Sequence, residues 1–192
     1  MLLETICIQN GAIQHLSYHQ RRLNRSQEAF FEDFEPIDLG QAIHPPSTDG
    51  TIKCRVLYAQ RLLDVHYEPY RPRKVETLRL VEADDIDYAY KYSMRDALES
   101  LLERRGNADD ILIVKKGLVT DTSIANIAFL KNRRWYTPKT PLLAGTTRER
   151  LVRSGFLLPR NIAPEEIDDF EAFALLNAMI GFVPIKRGRI VR

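Results

Sequence analysis

Asp87-Tyr88-Ala89-Tyr90-Lys91-Tyr92-Ser93-Met94-Arg95 is the stretch on which the fold turns. A lysine taken alone is most often a solvated surface charge. Lys91 instead stands among tyrosines at the entrance to a predicted helix. Further on, Val119-Thr120-Asp121-Thr122-Ser123-Ile124-Ala125-Asn126 sets an acid in strand-like sequence, and Leu143-Ala144-Gly145-Thr146-Thr147-Arg148 opens a helix with a glycine and two hydroxyl residues. Helix starts of that kind commonly hold phosphate. An amine that can condense with an aldehyde, an acid that can pair with a ring nitrogen and a phosphate cradle are the parts of a pyridoxal phosphate site.

At 192 residues the chain has room for one large domain or for two lobes of about 100 residues each. Its 44% hydrophobic content excludes a mainly disordered chain, and 28 basic against 26 acidic residues, a formal +2, point away from a nucleic-acid surface or a polybasic membrane face. A small-molecule partner fits better. Cys7 and Cys54 are far apart and no signal-peptide pattern opens the chain, so a reducing cytoplasm is expected. The apolar run from Phe170 to Ile185 is broken by Glu171, Asn177 and Pro184, which argues against a membrane span. His15, His19, His44 and His66 lack metal-ligand spacing, and no metal site is expected.

Leu2 to Ile8 and Ala12 to Leu16 flank Asn10-Gly11, a dipeptide suited to a tight hairpin. Ser17-Tyr18-His19-Gln20 matches a capping box, and Leu16, Leu23 and Phe30 predict a helix to about Phe31 with an apolar stripe. Thr51 to Ala59 and Leu62 to Glu68 read as paired strands, with Thr77 to Val81 as a further strand of the same lobe. The acidic run from Glu82 to Asp87 marks a crossing, so the expected lobes are residues 1–85 and 86–192. In the second, Ser93 is expected to cap a helix that stops at Gly106. Strands follow at Ile111 to Val114, Ile127 to Leu130 and Arg134 to Thr137, with turns at Lys116-Gly117 and Lys131-Asn132. Gly145 to Gly155 reads as a short helix and Pro164-Glu165-Glu166 as another helix start. Ala172 to Leu176 and Gly181 to Ile185 read as strands broken at Asn177-Ala178-Met179-Ile180. The fold class is therefore α+β in two lobes.

Over nearly its whole length the chain resembles the class IV aminotransferases, the fold-type IV pyridoxal phosphate enzymes with the D-amino-acid aminotransferase-like fold. Leu3-Glu4-Thr5-Ile6 resembles the family's Phe-Glu-Thr-Ile. His19-Gln20-Arg21-Arg22-Leu23 resembles its His-x-x-Arg-Leu, which implies that Arg22 holds the cofactor phosphate. Tyr90-Lys91 with Arg95 resembles the Schiff-base lysine segment. Val119 to Ile127 resembles Val-Thr-Glu-x-x-x-x-Asn-Ile/Leu, so Lys91 inherits the covalent role and Asp121 the pairing with the pyridine nitrogen. Leu143 to Arg148 resembles Leu-Pro-Gly-Ile-Thr-Arg and implies Thr146 and Thr147 at the phosphate. The family also implies a homodimer. Relatives usually begin earlier, with a strand and a glycine-rich loop, so an N-terminally shortened version is expected. The usual glutamate is Asp121 here, one methylene shorter.

Leu175-Leu176-Asn177-Ala178-Met179-Ile180-Gly181-Phe182-Val183-Pro184-Ile185 is similar to the Asn-Ser/Ala-x-x-Gly-x-x-Pro-Val stretch of 4-amino-4-deoxychorismate lyases. It implies Asn177 and Ala178 near the substrate and a lyase making 4-aminobenzoate and pyruvate, a step towards folate. The alternatives are a branched-chain or D-amino-acid transaminase and a non-catalytic relative that keeps the fold. Ordinary structural roles compete for the same residues: Asp121 can close a turn, Thr146 or Thr147 can cap a helix, and Asn177 can shape a strand bend.

Overall fold

The computed structural model describes residues 1–47 and 49–192 and divides the chain into two compact units, Met1–Pro72 with Tyr90–Met94 and Arg73–Ala89 with Arg95–Arg192. The first unit contains β1 (Leu2–Gln9), β2 (Ala12–Ile13), α1 (Leu16–Phe30), the short α2 (Leu39–Ala42), β3 (Thr51–Tyr58) and β4 (Leu62–Pro69). Its strands form one antiparallel sheet in the order β2-β1-β3-β4. Asn10 and Gly11, with φ of 49° and 77°, form the predicted hairpin turn, a conformation that asparagine and glycine tolerate best. Strand alternation sends Ile6, Ile8, Cys54 and Val56 into a core with Leu23 and Leu39. Each fully buried aliphatic side chain there contributes about 1.5–3 kcal/mol.

α1 departs from expectation at its start and on its face. The helix begins at Leu16 behind a left-handed His15, with no side-chain cap, so Ser17 already lies inside the first turn and the expected capping box does not form. The buried face is His19, Arg22, Leu23, Ser26 and Gln27, whereas Phe30 is 43% exposed. A largely polar face can be buried because its groups are satisfied. The Gln27 amide donates to the carbonyls of Glu35 and Ala59, and the Ser26 hydroxyl donates to that of Arg22.

Tyr90–Met94 belongs to this unit through β1. Leu2 and Tyr92 form an antiparallel bridge, with the Leu3 N–H donating to the Lys91 carbonyl at 2.9 Å and the Ser93 N–H to that of Met1 at 3.1 Å. The Tyr90 and Tyr92 rings meet Phe30 edge-on at 4.6 and 6.1 Å. The Ser93 hydroxyl donates to the Met1 carbonyl and does not cap the following helix, which starts only at Asp96 after an Arg95 N-cap.

The second unit contains β5 (Thr77–Glu82), α3 (Asp96–Glu103), β6 (Asp110–Lys115), β7 (Leu118–Thr122), β8 (Asn126–Lys131), β9 (Arg134–Pro138), α4 (Thr146–Arg153), β10 (Leu157–Arg160), a 3-10 segment (Pro164–Asp169), β11 (Ala172–Asn177), β12 (Gly181–Ile185) and β13 (Arg189–Val191). The sheet order is β10-β9-β8-β7-β6-β5-β13, and β11 pairs with β8 and β12. Its core gathers Leu78, Leu112, Ile127, Phe129, Ile162 and Leu175. The strand expected in the first lobe, β5, pairs in parallel with β6 from Leu78↔Asp110 to Glu82↔Val114, so the units divide at Pro72/Arg73 and not near residue 85. Two short parallel strands, β10 on β9 and β13 on β5, have no forerunner in the sequence pattern.

Candidate active site

The residues expected at the site fall in both units, Arg22 and Lys91 in the first and Asp121, Thr146, Thr147, Asn177 and Ala178 in the second. In the first, β1 organises both. Its Leu3 N–H holds the Lys91 carbonyl, and the next residue, Glu4, holds Arg22. Arg22 Nε and Nη2 donate to the two Glu4 carboxylate oxygens at 2.8 and 2.6 Å, and His19 Nδ1 lies 2.6 Å from Glu4 Oε2. Burial alone would push the Glu4 carboxyl upward. The Arg22 charge and the hydrogen bonds from Arg22 and His19 outweigh burial and hold it at about 2. Glu4 thereby fixes the orientation of the Arg22 fork. In the sequence the cluster shows as two separate signals, His19 and Arg22 three apart on one helix face and Glu4 in the Leu3-Glu4-Thr5-Ile6 segment, with nothing local to say that they meet.

In the second unit the structure joins two of the sequence motifs. Asp121 is the penultimate residue of β7 and Asn126 begins β8, paired across the hairpin. Asn126 Nδ2 donates to Asp121 Oδ1 at 2.8 Å and to the Leu143 carbonyl at 3.0 Å, while the Leu143 N–H donates to Asp121 Oδ2 at 2.9 Å. The acid and the turn that opens α4 are thus one hydrogen-bonded clamp. Gly145 is required by it, because a Cβ there would lie 1.9 Å from Asn126 Oδ1. Thr122 shapes the hairpin, its hydroxyl oxygen accepting the Ala125 N–H, and Arg95 Nη2 donates to the Ser123 carbonyl at 2.6 Å. Burial raises the Asp121 carboxyl to about 6, partly offset by the Leu143 and Asn126 hydrogen bonds and the Arg148 charge.

α4 starts at Thr146 with Gly145 as N-cap and no side-chain cap. The first N–H bonded within the helix is that of Glu149, to Gly145, so those of Thr146, Thr147 and Arg148 have no carbonyl of the helix to meet. Thr146 and Thr147 are both buried. Asn177 organises its own turn: its Oδ1 accepts the Met179 and Ile180 N–H groups and its Nδ2 donates to the Ile124 carbonyl. Ala178, half-buried, lies inside that turn.

These residues fit pyridoxal phosphate. Asp121 keeps acceptor capacity on each oxygen for a ring N–H, the start of α4 presents N–H groups and hydroxyls to an anion, and the buried Ser123 Oγ beside Asp121 has no hydrogen-bond partner within the described chain.

The family model for amino-transferase class IV matches residues 57–187. An uncharacterised protein of Haemophilus influenzae is 39% identical over 185 residues, covering 94% of this chain and 98% of the relative. The crystal structure of a putative 4-amino-4-deoxychorismate lyase from Haemophilus somnus superposes with a TM-score of 0.86 at 35% identity, over 94% of this chain and 96% of that one. The pyridoxal phosphate-bound form of a hypothetical aminotransferase from Mycobacterium tuberculosis shares the fold, with a TM-score of 0.77 at 17% identity over 97% of this chain and 82% of that one.

Proposed function

Because the chain belongs to the class IV aminotransferases, a family of pyridoxal phosphate enzymes, we propose that it is an aminodeoxychorismate lyase-like enzyme, converting 4-amino-4-deoxychorismate to 4-aminobenzoate and pyruvate. The observation that carries the proposal is the clamp by which Asn126 and Leu143 hold the buried acid Asp121 against the turn that opens α4. It offers together an acid for a ring nitrogen and donors for a phosphate. The choice of lyase over transaminase is supported by the Haemophilus somnus relative, which carries that name, and by the Asn177 turn.

When bound, the cofactor supplies an electron sink for a carbanion at the amine-bearing carbon of the substrate. Lys91 would hold the cofactor through its aldehyde, and the free Lys91 amine would serve as the base that takes the proton from that carbon. Loss of the enolpyruvyl group then leaves the aromatic ring of 4-aminobenzoate, and the departing enolate takes up a proton to become pyruvate. Asp121 holds a proton on the ring nitrogen; a carboxyl at about 6 is largely ionised at neutral pH, and a neighbouring cation draws it lower. Arg22, Thr146, Thr147 and the first N–H groups of α4 orient the phosphate. The backbone of the Asn177-Ala178 turn faces the substrate, the Asn177 side chain being engaged in shaping that turn. The proposal includes a cytoplasmic homodimer, read by size-exclusion chromatography with light scattering.

The test is the release of 4-aminobenzoate from 4-amino-4-deoxychorismate by the protein loaded with pyridoxal phosphate. Release by the wild type and none by Lys91→Ala supports the lyase. Consumption of a 2-oxo acid during amine turnover, without 4-aminobenzoate, replaces it with a transaminase. A cofactor colour that no amine changes replaces both with a non-catalytic relative.

A further inference from the structure

Asp121 sits where neither neighbouring strand holds its backbone in a regular ladder. Toward β6, Leu112 pairs with Thr122 and Val114 with Val119, so Thr120 and Asp121 together stand opposite the single residue Ile113. That is a β-bulge, which interrupts the ladder and bends the strand. Toward β8 the pairing is a single rung, Asp121 with Asn126. The turn between the two strands closes on itself, the Thr122 N–H donating to the Ala125 carbonyl at 2.9 Å and the Ala125 N–H to the Thr122 hydroxyl oxygen at 3.1 Å. With the ladders this sparse, the direction in which Asp121 points depends on what grips the turn from outside.

Two side chains grip it, on adjacent carbonyls. Asn177 Nδ2 donates to the Ile124 carbonyl at 3.1 Å and Arg95 Nη2 to the Ser123 carbonyl at 2.6 Å. The Arg95 contact is the shorter and is charge-assisted, which makes it roughly twice as strong as a neutral one. It is also a contact of an uncommon kind. The Arg95 guanidinium meets no carboxylate among the described residues, its Nε is buried without a partner, and Ser123 is 4% exposed. A charge that leaves water for a neutral acceptor contributes little net stability, so what the contact supplies is a fixed place for the turn. Arg95 is itself anchored as the N-cap of α3, its carbonyl accepting the Glu99 N–H at 2.9 Å. One residue thus ties the start of a helix to the chain two positions beyond Asp121.

We infer that Arg95 is a positioning residue for the proposed chemistry: its hold on the Ser123 carbonyl sets the direction in which the Asp121 carboxylate meets the ring nitrogen of the cofactor. The inference rests on the proposed role of Asp121 and adds a residue that acts through the hairpin. Asn126 and the Leu143 N–H orient the carboxylate oxygens, and Arg95 holds the backbone that carries them. Productive geometry tolerates displacements of only about 0.5 Å and 10–20°. A turn released at Ser123 therefore misaligns acid and ring while the fold stays intact.

The experiment compares the visible spectra of the wild type, Arg95→Met, Asp121→Asn and the double variant, all loaded with pyridoxal phosphate, and the rates at which alanine or 4-amino-4-deoxychorismate discharges the band. Arg95→Met keeps the band, shifted in the same direction as in Asp121→Asn, and slows its discharge about 10- to 100-fold. The Ser123 carbonyl takes a single N–H, so Arg95→Lys returns the band to its wild-type position and the rate to within a few-fold. In the double variant Arg95→Met adds no further shift and little further loss of rate, because residues that act through one group are not additive. Leu98→Ala opens a cavity beneath the same helix and lowers stability without moving the band. The inference is overturned if Arg95→Met has the wild-type spectrum while Asp121→Asn is shifted, if the two substitutions add fully, or if Arg95→Lys behaves as Arg95→Met. It is also overturned if Leu98→Ala shifts the band as Arg95→Met does, which would assign the effect to a loosened α3. Where Arg95→Met does not fold, Arg95→Ala, which leaves room for water at the Ser123 carbonyl, takes its part in the same comparison. An Asp121→Asn protein with the wild-type spectrum overturns the role of Asp121 and this inference together, whereas failure of the lyase assignment shows separately, as absence of 4-aminobenzoate.

Discussion

Glu4 in the first unit and Asp121 in the second are both buried carboxylates, and their acidities move in opposite directions, to about 2 and to about 6. Burial pushes both upward. Glu4 meets a guanidinium in two hydrogen bonds and a histidine in a third, whereas Asp121 meets an amide and a backbone N–H, with only the more distant Arg148 charge to help. Neutral donors orient a buried carboxylate but do not neutralise it. The difference separates two jobs. Glu4 is completed within the chain and holds Arg22 in place. Among the described residues Asp121 has no cation in hydrogen-bond contact, the condition in which a protonated ring nitrogen is most strongly welcomed.

Removing the cation from the first site is the severest way to break this comparison. Arg22→Met leaves Glu4 buried without its main counter-charge and is expected to destabilise the protein by about 3–5 kcal/mol, read as a lower urea midpoint. The double variant Glu4→Gln/Arg22→Met recovers much of that loss. At the second site the penalty falls on chemistry. Asp121→Asn should lower kcat by about 100-fold or more while stability at neutral pH holds or rises, because a costly buried charge is gone.

The two carboxylates also predict opposite pH slopes. The Asp121 carboxyl is raised from 3.8 to about 6, so its protonated form favours the folded state. That stability is full below about pH 4 and is lost as pH rises to about 6. Glu4 is lowered from 4.5 to about 2, so its contribution is present above about pH 4.5 and lost as pH falls towards 2. Each is worth on the order of 3 kcal/mol. Urea unfolding of the cofactor-free protein against pH should show both, with Asp121→Asn erasing only the upper slope. The smallest effect expected is that of Gly145→Ala. It drives Asn126 off Asp121 and costs about 1–3 kcal/mol, measured together with weaker pyridoxal phosphate binding.

The sheet frame was legible where a local rule governs it. Asn10-Gly11 announces its hairpin, Lys116-Gly117 its turn and Gly155 the stop after α4, because each takes a positive φ that few residues accept, whereas the turn expected at Lys131-Asn132 falls one residue on, at Asn132-Arg133, with Lys131 still in β8. Gly145 opens α4 at an ordinary φ of -68° and is needed only for the space that Asn126 takes. What escaped depends on distant partners. β5 joins the second sheet through β6, and β10 and β13 add parallel edges, pairings that no local pattern encodes. The buried face of α1 is largely polar because Glu4, on β1, supplies what His19 and Arg22 need, so an apolar stripe through Phe30 was the wrong template. Asp121 and the turn before α4 were each visible in sequence. Their union through Asn126 was not, since the side chain that joins them lies among residues equally suited to shaping a loop.

The most direct test of the contrast between the two carboxylates, and of the cofactor chemistry drawn from it, is the visible absorption spectrum of the purified protein with pyridoxal phosphate, wild type beside Lys91→Ala and Asp121→Asn. The expected result is a protein-bound visible band in the wild type, none in Lys91→Ala, and in Asp121→Asn a band that persists but is shifted because the ring nitrogen has lost its proton. A wild type without the band, a Lys91→Ala protein that keeps it, or an Asp121→Asn spectrum identical to the wild type would contradict the account.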